Sequence, residues 1–409
     1  MIPRLKPYLG KEELLAALTP DRGAVERFEI DFARTFEAKY ALAFSYGRSA
    51  LWAFFKAMGI HDAEIIMPAY TCVVVAHAIV LSGNKPRFVD VSLYDYNMEL
   101  DQVAEAINAK TGAVIATHLF GYPLDIDRLS EIVQNAENRL GKKIWILQDC
   151  AHSFGAEWKG KLVCNAGDVA LFGLNISKMM TSIFGGIITT NDEQIYEKLR
   201  IFRDTYFKKP GFIKTLRRLI YLMAVYPAFN EQIYGVVYWL QEKTTFLDWL
   251  TKAYHLDEKI HFPPDYLDRM LPIEARVGIV QLKKYPEIIK KRRETAIYYD
   301  QNISTSDGWV KPPIVEGATY SHYVVRVPDR QKVMQAMANR GVQLGQLIEY
   351  SVPHLPVYKE YANNTEYPVS KWCSRNVMNL PIHCFFNNLE KRHISSIAIN
   401  NKSIKGNEH

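Results

Sequence analysis

The chain reads as an α/β protein: a mostly parallel, seven-stranded sheet in a large domain, followed by a smaller α+β domain. Three observations predict it. Short apolar runs alternate with amphipathic segments through the first half of the 409 residues. Helical patterns fill most of the gaps between those runs, as crossover connections of a parallel sheet require. The rhythm stops after Asn191, and one long helical pattern near 275–300 then opens a different kind of architecture.

Taken in order, the strand-like runs are 40–44, 64–67, 85–89, 113–117, 144–147, 169–172 and 186–189. Helical patterns lie at 50–58, 73–82, 100–106 and 127–136, and none separates the last two strands. Three parts follow: a large α/β domain over 1–204, a helical aromatic and basic insertion over 205–261, and the long helix with an α+β tail over 262–409. In that tail YSHYVVRV reads as a strand. Open parallel sheets bind ligands at the carboxyl ends of their strands, so the residues just after each strand are where chemistry is expected.

Composition excludes several classes. A hydrophobic content of 48% supports a large core, and a net charge of +6 is too thin for a nucleic-acid-binding stripe. The five cysteines, Cys72, Cys150, Cys164, Cys373 and Cys384, lack CxxC or metal-type spacing. They are expected to be reduced thiols of a cytoplasmic protein, with no metal site. MIPRLKPYLGKEELL has no apolar signal-peptide core. No apolar run reaches the roughly 18 residues of a spanning helix; the nearest, at 219–229, stops short and contains Pro227.

Three segments carry candidate chemistry. In SYGRSALWAFF a strand leads through Gly47, Arg48 and Ser49 into a helix, where backbone N–H groups, a hydroxyl and a guanidinium can hold an anion. An ordinary capped helix start has the same look. In KIWILQDCAHSFGA a strand ends on Asp149, with His152 close behind. A carboxylate there can hold a pyridinium nitrogen protonated, and equally it can be an N-cap beside a packed histidine. In GDVALFGLNISKMMTSIFGG a strand is followed by Asn175 and Lys178, ahead of Gly185 and Gly186. A single lysine after a strand is usually a solvated charge. A phosphate turn, a strand-end acid and a strand-end lysine, in that order on one sheet, are the three anchors that pyridoxal phosphate needs.

Together these segments resemble the DegT–StrS type of nucleotide-sugar aminotransferases, which are fold-type I pyridoxal phosphate enzymes. The opening IPRLKPYLGKEEL, IIMPAYTCVVVAHAIVLSGNKPRFVDVSL, THLFGYPLDIDRL, YLDRMLPIEARVGIVQLKKYPEIIKKRRETAIYY, EYSVPHLPVYKEY and VMNLPIH resemble the same family. Only about 205–260 lies outside the resemblance.

The resemblance implies that Lys178 carries the cofactor as a Schiff base and shuttles a proton, while Asp149 binds the pyridine nitrogen. It also implies that His152 lies near the 3-hydroxyl and that Gly47, Arg48, Ser49 and Asn175 contribute to cofactor binding. Arg269, Tyr350 and His354 fall on the substrate side. Small-molecule substrates are implied, glutamate as donor and a keto-sugar as acceptor, together with a homodimer. The sequence departs from the family's pattern in places. Arg48 replaces a threonine, Gly173 a serine, and Leu267 an asparagine that reaches across the dimer. Ile183 and Phe184 replace Gly-Glu, and Cys72 takes an aromatic stacking position that Tyr70 is left to fill. Lys178 argues against the family's sugar dehydratases, which carry histidine there. The departures also fit a catalytically altered member acting as a different pyridoxal phosphate enzyme or a regulatory scaffold.

The insertion holds Lys208, Lys209, Lys214, Arg217 and Arg218 beside LIYLMAVYPAF and GVVYWL. Basic residues beside an aromatic, apolar stretch suit peripheral membrane contact through 207–249. A lid or dimer contact packed on protein is the commoner use of such helices.

Overall fold

The computed structural model describes residues 1–243, 259–303, 308–362 and 365–399. All seven expected strands form: β1 Tyr40–Phe44, β2 Glu64–Pro68, β3 Lys85–Val89, β4 Thr111–Thr117, β5 Trp145–Asp149, β6 Val169–Gly173 and β7 Gly186–Thr190. They pair in the order β1-β7-β6-β5-β4-β2-β3. Only β7 runs against its neighbours, pairing antiparallel with both β1 and β6. The missing helix between the last two strands is the reason: antiparallel neighbours need only a loop, and that loop carries Lys178. The central strands are buried along nearly their whole length, as a sheet covered on both faces demands.

Helices α1 Lys11–Leu18, α2 Ala24–Thr35, α3 Gly47–Ala57, α4 Val73–Leu81, α5 Leu100–Ala106, α6 Ile126–Leu140 and α7 Glu193–Tyr206 belong to this part. Local chemistry sets their ends. Asp125 accepts the Arg128 N–H at the start of α6, and Gly141 closes that helix at φ 64°, a left-handed cap favoured by glycine. Asp192 accepts the N–H groups of Gln194 and Ile195 to start α7.

The insertion folds as α8 Phe212–Ala228 and α9 Glu231–Lys243. Residues 244–249 of the segment considered for membrane contact lie outside the described residues. No helix among the described residues is long and apolar enough to cross a membrane.

The long helix is α10, Pro272–Asn302, begun by proline at its first position and by Glu274, whose carboxylate accepts the Leu271 N–H at 3.0 Å. Its first half packs Ala275, Leu282 and Ile288 into the core around Phe28 and Phe172. Its second half packs Ala296 and Tyr299 into the C-terminal core. That core contains α11 Arg330–Asn339, α12 Pro368–Asn376, α13 Asn388–Ile399 and the antiparallel pair β8 Tyr323–Arg326 and β9 Val377–Leu380. It also takes in Tyr70, Leu119 and Phe120 from the loops of the large sheet. One helix, with Pro286 in its interior, therefore serves both cores.

Candidate active site

β1 ends on Phe44, and Tyr46, extended at φ −149° and ψ 152°, turns the chain into α3. The sequence placed the helix start at Ala50; the structure begins it at Gly47, so Gly47, Arg48 and Ser49 form its first turn. N–H groups there have no intrahelical acceptor and sit at the positive helix end. No carboxylate occupies the turn. The Ser49 hydroxyl is buried without a hydrogen-bond partner among the described residues. Arg48 lies with its guanidinium 5.7 Å from the Tyr46 ring.

Two strands, β6 and β7, bring glycines against this turn. Gly186 is the register partner of both Phe44 and Gly173. A Cβ built on Gly186 would come within 2.2 Å of the Gly47 nitrogen, so no other residue fits there without moving the turn. A Cβ on Gly173 would lie 3.5 Å from Lys178 Cε, which places the lysine stem directly over that backbone. The serine expected at position 173 is absent, and the space beside the lysine is left to backbone.

Asn175 shapes the loop that delivers the lysine. Its Oδ1 accepts from the Ser177 N–H and hydroxyl at 3.0 and 2.6 Å, and its carbonyl accepts the Lys178 N–H. Lys178 Nζ has no hydrogen bond or ion pair with the described residues. Burial pushes its amine below the ordinary lysine value, against the upward pull of Cys72 and Asp149.

Asp149 closes β5 opposite Thr117 and Leu171. One carboxylate oxygen accepts the Ala151 N–H at 3.1 Å, and the other has no partner among the described residues. Burial raises its pKa, with the Lys178 charge opposing. His152 is buried, and its Nδ1 has no partner among the described residues. Its ring lies near-parallel to Phe120, 6.3 Å between centroids at 15°, and 5.3 Å from His322. Burial pushes both histidines well below the usual imidazole range, and the Lys178 charge adds to it.

Lys178, Asp149, His152, Cys72 and the first turn of α3 thus meet at one edge of the sheet. Tyr350 joins them: its hydroxyl accepts the Val73 N–H at 3.0 Å and bonds Cys72, which raises the phenol's pKa further beyond the effect of burial. Three other expected site residues have partners of their own. Tyr70 is a core residue, 1% exposed, edge-on to Phe120 with its hydroxyl bonded to Ile348 O; its ring is used by packing and not free to cover a ligand. Arg269 spends its guanidinium on the carbonyls of Asp204 and Phe207 at the end of α7. His354 sits against Tyr367, among the charges of Lys371, Glu366 and Asp90.

His322 and Phe120 were not foreseen. Phe120 holds a left-handed φ of 57° in the loop after β4. That conformation is unusual for a large side chain. His322 precedes a strand of the other core, a position with no strand-end signal to mark it.

The insertion is wired to this site. Tyr46 donates its hydroxyl to Asp265 at 2.9 Å and accepts from Arg218 at 2.9 Å. Arg218 also binds the fully buried carboxylate of Glu274 at 2.9 Å, and its guanidinium lies 3.8 Å over the Phe184 ring. Lys214 bridges Asp265 and Asp268 at 2.8 and 3.0 Å. Two of the five basic residues offered for lipid contact are therefore internal. Burial raises the Glu274 pKa to about 7 even with Arg218 lowering it. Arg218→Met strips that buried acid of its cation and should cost about 3 kcal/mol in urea unfolding. Adding Glu274→Gln should restore most of the loss.

A helix N-terminus free of carboxylates, a strand-end acid and a half-buried lysine, with the Ser49 hydroxyl and His152 Nδ1 buried without partners among the described residues, fit pyridoxal phosphate. The fold is that of the sugar aminotransferase CalS13 from Micromonospora echinospora: TM-score 0.78 at 18% identity, covering 98% of this chain and 100% of that one. Fold and site define a fold-type I, pyridoxal-phosphate-dependent aminotransferase. Residues 18–398 match the DegT/DnrJ/EryC1/StrS aminotransferase family, and the chain belongs to it. GDP-perosamine synthase of Escherichia coli O157:H7 is 25% identical over 363 residues, 87% of this chain and 84% of that protein. GDP-4-keto-6-deoxy-D-mannose 3-dehydratase of Yersinia pseudotuberculosis is 28% identical over 293 residues, 69% and 65% of the two chains.

Proposed function

We propose that the enzyme transfers an amino group from glutamate to a keto-sugar, nucleotide- or lipid-linked, in surface polysaccharide or glycoconjugate biosynthesis. The observation that carries this reading is the Lys178 amine, which has no hydrogen-bond partner among the described residues and lies within the electrostatic reach of the Asp149 carboxylate. When bound, pyridoxal phosphate supplies the electron sink that acidifies the carbon bearing the amino group.

The protein's residues supply the rest. Lys178 Nζ is the point of covalent attachment and the base that takes and returns the Cα proton of the amino donor. Asp149 holds a proton on the ring nitrogen. Gly47, Arg48 and Ser49 bind the phosphate, with Asn175 keeping Lys178 in register. His152 and Phe120 would lie beside the cofactor ring, and Tyr350, Cys72 and His322 would line the side open to substrate. A homodimer is part of this reading, as the family resemblance implies, and light scattering reads it directly. So is a cytoplasmic location, supported by five free cysteines, and peripheral membrane contact, argued below.

The test is a half-reaction screen. Glutamate should bleach the yellow of the loaded enzyme, and a nucleotide-linked 4-keto sugar should restore it where simple 2-oxo acids other than the donor's product do not. The departures at Gly173, Ile183, Phe184 and Leu267 favour a second reading, a regulatory scaffold. Colourless protein that takes up no added cofactor would establish that reading and end the first.

A further inference from the structure

Helix α8 has two unlike faces. Lys214, Arg218 and Leu222, spaced four apart, turn inward: the two cations join the ion pairs at Asp265, Asp268 and Glu274, and Leu222 is fully buried. On the outer face Phe212, Ile213, Leu216, Ile220 and Met223 are uncovered, with Phe212 78% and Ile220 60% exposed. At about 100° per residue these five fall within roughly one third of the helix circumference. Arg217 flanks that arc, and Lys208 and Lys209 precede it, all three exposed and, among the described residues, without a carboxylate partner. From Phe207 to Asn230 the chain contains no Asp or Glu at all. The following helix also leaves Ile233, Val236 and Trp239 uncovered.

We propose that this face docks on an anionic phospholipid surface, with the outer stripe of α8 entering the headgroup boundary and Lys208, Lys209 and Arg217 binding lipid phosphates. The charge pattern selects this occupant. An apolar arc edged only by cations is matched by a surface that offers hydrocarbon and negative charge together. A second copy laid on the same face would set one all-basic edge toward another. The inward cations do not compete for lipid, because their partners are carboxylates of this chain. The face is anchored by those pairs, so it is presented by a rigid body and not by a loose segment.

The proposal adds the lipid class and the docking residues to the membrane contact named above, and it does not depend on which ketone is aminated. The experiment is flotation of the full-length holoenzyme with vesicles of phosphatidylcholine, alone or mixed with phosphatidylglycerol. Binding to the mixed vesicles, weakened by salt, is expected. Lys208→Glu, Lys209→Glu and Arg217→Glu combined should lower it about 100-fold, and Ile220→Asp with Met223→Asp should abolish it. Lys178→Ala protein should float like the parent, so a failed catalytic assignment leaves this result standing. Absence of binding, equal binding by the charge-reversed protein, or a fall in oligomeric mass on Ile220→Asp with Met223→Asp each overturns the proposal. Melting temperature close to the parent's in both variants verifies that the exposed substitutions leave the fold intact.

Discussion

Lys178→Ala protein is expected to bind pyridoxal phosphate only reversibly, to lack the yellow band of the covalently held cofactor, and to lose at least about 10⁴-fold in turnover. The size of the loss follows from the geometry. Lys178 Nζ has no partner among the described residues, and its stem lies over the Gly173 backbone, 3.5 Å from where a Cβ would stand. No other lysine is described at this edge of the sheet to take over as base. The pH dependence carries a sign. Only the neutral amine attaches the cofactor, and burial pushes Lys178 below the ordinary 10.5. Attachment to the apo-protein should therefore accelerate as pH rises, with a midpoint below that value. Stopped-flow absorbance measures it, and a midpoint at or above the ordinary lysine value would contradict the assignment.

Asp149→Ala should behave differently. Attachment to Lys178 survives and the protein stays yellow, while the glutamate half-reaction slows by roughly 10²–10³. Asp149 sits at the end of β5 with one oxygen on the Ala151 N–H and the other available to a ring nitrogen. Burial raises its pKa against the Ala151 N–H and the Lys178 charge, so a nearby cation favours its ionised form. A protonated ring nitrogen is such a cation. A half-reaction close to the parent rate in the variant would remove Asp149 from the mechanism.

The sheet and its strand ends were legible because strand ends are local. Apolar runs fix where β5 and β6 stop, and the next polar residues, Asp149 and Asn175 to Lys178, then have little freedom of position. Gly47 to Ser49 were readable for the same reason, although the helix was placed three residues late. What failed were readings that depend on orientation across the fold. Tyr70 and Cys72 are neighbours in sequence, yet Tyr70 turns into the C-terminal core while Cys72 stays beside Lys178. His322 enters from that other core, and nothing in YSHYVVRV says which way its ring faces. Lys214 and Arg218 look like surface charges until Asp265, Asp268 and Glu274 are folded beneath them. A charge four residues from another on a helix reads the same whether it meets water or a buried carboxylate.

The contact of Gly47, Gly173 and Gly186 has a consequence for how such an enzyme can change. Those positions form a floor with no side chains to vary, and the Gly186 Cβ clash at 2.2 Å closes the cheapest route to altering it. Novelty in what is accepted must then come from the opposite wall, built by Phe120 on a loop of the large sheet and by His322 and Tyr350 on loops of the C-terminal part. A library confined to that wall would sample new acceptors while the attachment chemistry stayed constant, and one that touched the floor would mostly return dead protein.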